Sequence, residues 1–83
     1  MVGNWNLENI IRTNKCIGDI STVDSSEVMT LKNNYIVDYK TNDIYIDNKG
    51  KFSYYYRLDT LVLEQTDNKD CPITSKYRYI RMR

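Results

Sequence analysis

Seven short apolar runs, each alternating with polar residues, constrain this chain of 83 residues more than any other feature. The runs consist of Val, Ile, Leu, Phe and Tyr and are separated by Asn, Asp and Gly. Side chains along a β-strand point to opposite faces in turn, so this period of two predicts strands with one buried face. The pattern is clearest at residues 35–40 and 52–57, and almost none of the chain shows helical periodicity.

The spacing of turn-forming residues predicts the number of strands. We predict a first strand at residues 5–11 that buries Trp5, Leu7 and Ile11, followed by a loop at residues 12–26 with one helical turn at residues 25–27. Further strands are predicted at residues 28–31, 35–40, 44–46, 52–57, 61–64 and 76–83, with a polar loop at residues 65–75. The fold class is therefore all-β: an antiparallel meander of six to eight short strands forming a small closed or partly open barrel.

Two turns carry their own signals. Asn33-Asn34 is predicted to form a tight turn, because Asn tolerates a positive φ angle. In Asp47-Asn48-Lys49-Gly50, Gly50 is predicted to take the left-handed position of a hairpin turn with a bulge.

Length and charge limit the classes of function. A chain of 83 residues predicts one domain, residues 1–83. The net charge of +1, from 12 basic and 11 acidic residues, argues against a general polyanion binder. No secretory signal opens the sequence. We therefore expect a cytoplasmic protein if the chain is full length, and a mature exported or lipoprotein domain otherwise.

The two cysteines are disulfide candidates rather than reactive groups. The sequence has no histidine, so Cys16 and Cys71 have neither the usual partners of a zinc site nor an imidazole base. In an oxidising compartment they would form one bridge, and in the cytosol they would remain reduced.

Carboxylate pairs are the one remaining catalytic option. Two such pairs fall in or next to predicted turns, Asp43 with Asp47 and Asp67 with Asp70. Acidic residues in turns are more often solvated turn formers than acid–base pairs. We therefore expect a protein without enzymatic activity, metal or cofactor.

The order of the segments resembles a known family. Gly3-Asn4-Trp5-Asn6-Leu7 is similar to the G-x-W start of the lipocalin-like domains common as small bacterial lipoproteins. The segments that follow have a similar order, with residues 29–31, 35–37, 50–55, 61–63, a loop with Cys71, and residues 77–80. The resemblance spans roughly residues 3–82. It implies a small barrel with Trp5 packed under its floor, and carriage of a small apolar ligand.

Barrel size sets an expectation for the interior. Cavity volume grows with strand number, and even eight strands enclose only side chains or one small ligand. With about seven strands, the predicted core would nearly fill the barrel: Trp5, Leu7, Ile11, Leu31, Tyr35, Val37, Phe52, Tyr54, Leu61 and Leu63.

Tyrosine and arginine mark the predicted contact surface. Eight tyrosines are present, and Tyr55 must point opposite to Tyr54 and Tyr56 along a strand. Tyr and Arg are the residue types enriched at interface hot spots. We predict a partner-binding surface on the last strand and the neighbouring hairpin, formed by Tyr55, Arg57, Lys76, Arg78, Arg81 and Arg83.

Three functions remain open. The first is a protein-binding module, for example a phage or mobile-element inhibitor of a host defence enzyme. The second is a lipocalin-like carrier of a small apolar ligand. The third is a single-stranded nucleic-acid binder that uses the basic last strand, where Arg and Tyr would contact phosphates and bases. Outward tyrosines that only stabilise the sheet are the structural alternative.

Overall fold

A computed structural model describes the chain except for residues 1, 33, 34, 47, 48 and 83, and describes Tyr35 by its backbone alone. The described residues form eight β-strands and no helix. The strands are β1 (Gly3–Asn14), β2 (Ile20–Asp24), β3 (Val28–Leu31), β4 (Tyr35–Asp38), β5 (Asp43–Ile46), β6 (Gly50–Arg57), β7 (Thr60–Thr66) and β8 (Ile73–Arg81). All pairings are antiparallel within one sheet, which confirms the predicted fold class.

Pairing of the first strand with the last defines the sheet. β1 runs along β8 from Trp5 opposite Arg81 to Asn14 opposite Ile73. From β8 the sheet continues through β7, β6 and β5 to β4, and the other side of β1 pairs with β2 and β3. Among the described residues no pairing joins β3 to β4, so the sheet is not closed and is compatible with a partly open barrel.

The segment predicted as a loop at residues 12–26 is largely strand, which corrects that prediction. β1 continues to Asn14 and, after a turn at residues 15–17, β2 pairs back along it. All five residues of β2 are exposed. Because neither face of β2 is buried, its sequence needs no apolar alternation, and the periodicity that revealed the other strands is missing.

β2 and β3 lie end to end along one edge of β1. The helical turn predicted at residues 25–27 does not form. Instead, Ser25 N donates to Glu8 O at 2.9 Å, and Leu7 N donates to Glu27 O at 2.7 Å. These bonds pair β1 backbone groups in the gap between the two strands. Because all pairings are antiparallel, β2, β3 and β4 run in the same direction. These three strands follow one another in sequence, and they form both edges of the sheet: β2 and β3 form one edge, and β4 forms the other.

A bulge in β1 changes which residues are buried. The register between β1 and β8 shifts between Leu7 and Asn9. Leu7 faces the core before the bulge, Ile10 packs against the core after it, and Ile11 lies opposite Lys76 on the outer face. The predicted burial of Ile11 is therefore wrong, because one extra residue reverses the faces of every later side chain in the strand.

The core occupies the inner face of the curved sheet. Its buried apolar residues are Trp5, Leu7, Met29, Leu31, Ile44, Ile46, Phe52, Leu61, Leu63 and Tyr79. Trp5 is fully buried, as predicted. Val37 and Tyr54 pack at the margin of this cluster, and the side chain of Tyr35 lies outside the described part of the chain.

Among the described residues, positive φ angles occur at Gly3, Gly18, Asn42, Gly50 and Leu58, and Leu58 is unsuited to this conformation. Gly50 has a φ of 95°, as predicted, and Asn42 at 57° is a residue type that tolerates it. Leu58, in the turn between β6 and β7, has a φ of 53°. In this conformation its Cβ is crowded by the backbone, which costs free energy. Because Leu58 is 80% exposed, packing of its side chain does little to offset that cost.

Leu58→Asn should therefore raise the free energy of unfolding by about 1 kcal/mol, because Asn adopts the left-handed conformation at lower cost. Urea unfolding measures the difference. Leu58→Ala is the matched control: it removes the side chain but keeps the backbone cost, so its stability should equal that of the parent. A loss of stability in Leu58→Asn would contradict this account.

Candidate functional site

The candidate site is the outer face of β6, β7 and β8, where the sheet register brings two predicted contact residues into one row. Tyr55 pairs with Val62, and Val62 pairs with Arg78. Residues paired in this way point to the same face. Tyr55 is 56% exposed and Arg78 is also exposed, so the row presents an aromatic ring, an aliphatic side chain and a guanidinium group to solvent.

Two further predicted residues flank this row. Lys76 lies two residues before Arg78 on β8, and Arg57 lies two residues after Tyr55 on β6. Both share the outer face and are exposed. The structure thus brings four of the six predicted residues, Tyr55, Arg57, Lys76 and Arg78, to one surface. Together with Val62 they form what we call the outer row surface. Arg83 lies outside the described residues.

Acidic side chains are interspersed among these cations. Arg78 Nη1 lies 3.9 Å from Glu8 Oε2 in an exposed ion pair. Lys76 has Glu64 as its cross-strand partner on β7. An exposed pair of this kind contributes roughly 0–1 kcal/mol to stability. Its larger effect is on the surface potential, which alternates in sign across the outer face.

Arg81, another of the predicted contact residues, does not lie on the outer row surface. Its guanidinium carbon lies 4.4 Å from the centre of the Trp5 ring, on the inner face. Nη1 donates to Val2 O at 3.0 Å, and Nη2 donates to Tyr56 Oη at 2.9 Å. The Tyr56 ring also packs edge-on against Trp5, with ring centres 5.9 Å apart. These contacts close one end of the core, so Arg81 is a packing residue.

The position of Arg81 explains why residue 3 of the G-x-W motif is a glycine. Gly3 has a φ of +144°, which other residues rarely adopt. A Cβ added at Gly3 would lie 2.9 Å from Arg81 Nη1. Any larger residue would therefore displace the guanidinium group that covers Trp5.

A disulfide pins the opposite end of β1 and β8. Cys16, in the turn after β1, is bonded to Cys71, in the loop before β8, with their Cα atoms 5.3 Å apart. Lys15 N also donates to Pro72 O at 3.1 Å.

Asp67, one of the acidic residues considered for catalysis, accepts at Oδ1 from Ile73 N at 3.1 Å. This contact is typical of an acidic residue that stabilises a turn.

A cavity opens on the inner face of β6, β7 and β8. Its volume is about 220 Å³. Side chains of both polarities line it: Lys49, Phe52, Leu63, Gln65, Tyr77 and Tyr79. Burial, then the charge of Glu27, then Tyr77, raise the pKa of the Tyr79 hydroxyl to about 12. The cavity is smaller than the roughly 300–1,000 Å³ typical of ligand pockets.

Sequence reasoning missed two features of this site. Val62 joins Tyr55 to Arg78, but its place in the row depends on the pairing of three strands. The position of Arg81 had a signal in the sequence, because it is two residues after Tyr79 and the period of two places both on the inner face.

Other site types find no support among the described residues. No group of three or more Cys, Asp or Glu side chains in that part of the chain could hold a metal ion. Within the same residues, no helix has the length and apolar character needed to cross a lipid bilayer. Comparison with known proteins found no match to a family model, a curated protein or a solved structure.

Arg81→Met should lower the free energy of unfolding by about 2 kcal/mol, because it removes the contact with Trp5 and two charge-assisted hydrogen bonds. Urea unfolding is the measurement. Arg78→Met is the matched control on the opposite face of the same strand, and it should change stability by at most about 0.5 kcal/mol. Equal losses in the two variants would refute the assigned roles.

Tyr79 should make stability depend on pH under alkaline conditions. The pKa of Tyr79 is about 12 in the folded protein, above its ordinary value of 10.0, so the unfolded chain loses this proton first. The contribution is fully present below pH 10.0 and is lost as the pH rises toward 12. In urea midpoints measured across this window, Tyr79→Phe should show a shallower fall than the parent. The exposed Tyr39→Phe should behave as the parent, and identical slopes in all three proteins would contradict the assignment.

Proposed function

We propose that this chain is a non-enzymatic binding module that contacts another protein through the outer row surface. The observation that supports this most directly is the register of Tyr55, Val62 and Arg78 across three paired strands. Because paired strands hold these side chains, little conformational freedom is lost when a partner binds. Tyr and Arg are also the residue types most often found as interface hot spots.

The distribution of charge favours a protein partner over a nucleic acid. A protein surface that binds single-stranded nucleic acid needs a continuous positive groove along the phosphate backbone. On the outer face, Arg78 pairs with Glu8 and Lys76 lies opposite Glu64. Mixed charges of this kind provide complementarity to a protein surface, where they set specificity and the association rate.

A carrier function has less support. The cavity of about 220 Å³ is below the usual range for ligand pockets, and Phe52, Leu63 and Tyr79 belong to the core that surrounds it. The lipocalin-like relationship remains a hypothesis, supported by the open barrel and by the burial of Trp5.

The disulfide bears on where the module acts. The Cα separation of 5.3 Å between Cys16 and Cys71 lies within the range of native disulfides. Such bridges persist in oxidising compartments, and this supports the exported form of the protein over the cytoplasmic one. Inhibition of a host defence enzyme is a mode of action for the cytoplasmic form, in which both cysteines would be reduced.

Affinity capture from the source cells, with and without nuclease, identifies the partner class. We expect a protein that stays bound after nuclease treatment. Loss of the captured material on nuclease treatment would instead support nucleic-acid binding.

Tyr55→Ala and Arg78→Ala should each weaken binding of the captured protein by about 2 kcal/mol, roughly thirtyfold, without changing the melting temperature. Isothermal titration or surface plasmon resonance gives the affinities. Tyr39→Ala is the control, because Tyr39 is 78% exposed but lies in the turn after β4. If Tyr39→Ala weakens binding and the other two do not, the contact surface lies elsewhere.

A further inference from the structure

The end of the barrel closed by Arg81 exposes an apolar cluster that the outer row surface does not include. Four side chains form this cluster: Val2, Tyr56, Leu58 and Met82, all exposed. Exposed apolar residues scattered singly over a protein surface need no explanation, whereas a contiguous group usually marks an interaction site. We call these four residues the end cluster.

Contacts of Arg81 bring together the chain segments that carry the end cluster. Its side chain donates to Val2 O at 3.0 Å and to Tyr56 Oη at 2.9 Å. Its backbone N donates to Asp59 O at 2.8 Å, which brings the Leu58 turn beside it. Met82 is the next residue along the chain. One arginine therefore gathers three separate segments of the chain.

Leu58 is the residue that the fold itself explains least. It lies at the tip of the turn with a φ of 53°, a conformation that bulky side chains avoid. Its side chain is 80% exposed, so burial in the core does not compensate for the backbone cost. Unfavourable conformations of this kind are concentrated at functional positions.

Positive charge surrounds the end cluster. The segments that form it and border it, residues 2–4, 31–32, 56–60 and 81–82, carry three cationic side chains, Lys32, Arg57 and Arg81. Asp59 is the one acidic side chain in these described segments. Lys32 lies beside Val2, because the preceding residue, Leu31, pairs with Gly3. Projecting apolar side chains with a cationic border match an anionic lipid surface, where the apolar groups enter the headgroup region and each cation contributes about 1 kcal/mol.

We propose that the end cluster docks this protein peripherally on a bilayer of anionic lipids, with Leu58 and Met82 inserted between the headgroups. A standard protein interface needs roughly 20–30 residues on each side with matching shape. The end cluster supplies only four apolar side chains, and a fluid lipid surface accommodates these without shape complementarity. A bilayer is therefore the favoured occupant. The four apolar side chains of the end cluster are separate from the outer row surface, and the cationic border shares only Arg57 with it.

Cosedimentation of the purified protein with vesicles tests this proposal. We expect binding to vesicles of equal parts phosphatidylglycerol and phosphatidylcholine, and weak binding to phosphatidylcholine alone or at high salt. Leu58→Asn is the decisive variant, because it should raise stability while weakening vesicle binding about tenfold. Unfolding therefore cannot account for the loss. Met82→Ser should weaken binding in the same direction.

Two controls make the result specific. Ile36→Asn removes an apolar side chain that is 70% exposed on β4 and is not part of the end cluster, so it should leave vesicle binding unchanged. Tyr55→Ala, on the outer row surface, should also bind vesicles as the parent does. The proposal is overturned if the parent protein fails to bind anionic vesicles, or if Leu58→Asn binds them as well as the parent. It is also overturned if Leu58→Asn abolishes capture of a protein partner while vesicle binding persists.

Discussion

The pairing of β1 with β8 is the constraint on which the rest of the structure depends. It joins the two ends of the chain along the longest strand, from Trp5 opposite Arg81 to Asn14 opposite Ile73. Bringing these two distant segments of the chain together is entropically costly. At each end of the β1–β8 pairing, a contact offsets part of this cost. At one end Arg81 covers Trp5, and at the other Cys16 is bonded to Cys71.

The pairing of β1 with β8 also explains how one small sheet presents an apolar inner face and a charged outer face. Along β8, Tyr77 and Tyr79 face the core while Lys76 and Arg78 face solvent. The outer face therefore acquires its charged and aromatic groups from the same strands that build the core. The end of the sheet near Arg81 is different, because it consists of turns and chain ends. At this end packing accounts for Arg81 but not for Leu58, whose exposed apolar side chain needs another explanation.

Charge patterning connects this architecture to function. On the outer row surface, Glu8 and Glu64 lie beside Arg78 and Lys76, which suits a partner of mixed charge. Around the end cluster, cations outnumber acids, which suits an anionic surface. Both functional proposals thus follow from the sign of the charge around exposed apolar groups. The net charge of +1 conceals this difference, because it averages over the whole chain.

The sequence by itself determined the fold class, the burial of Trp5 and the outward direction of Tyr55, because each depends on local alternation with a period of two. It did not reveal β2, whose two exposed faces leave no apolar pattern, or the reversal of Ile10 and Ile11, which a single bulge produces. The tertiary structure alone decided that Tyr55, Val62 and Arg78 share a row, and that Arg81 covers Trp5. The register between strands distant in sequence sets these contacts, and no local pattern encodes that register.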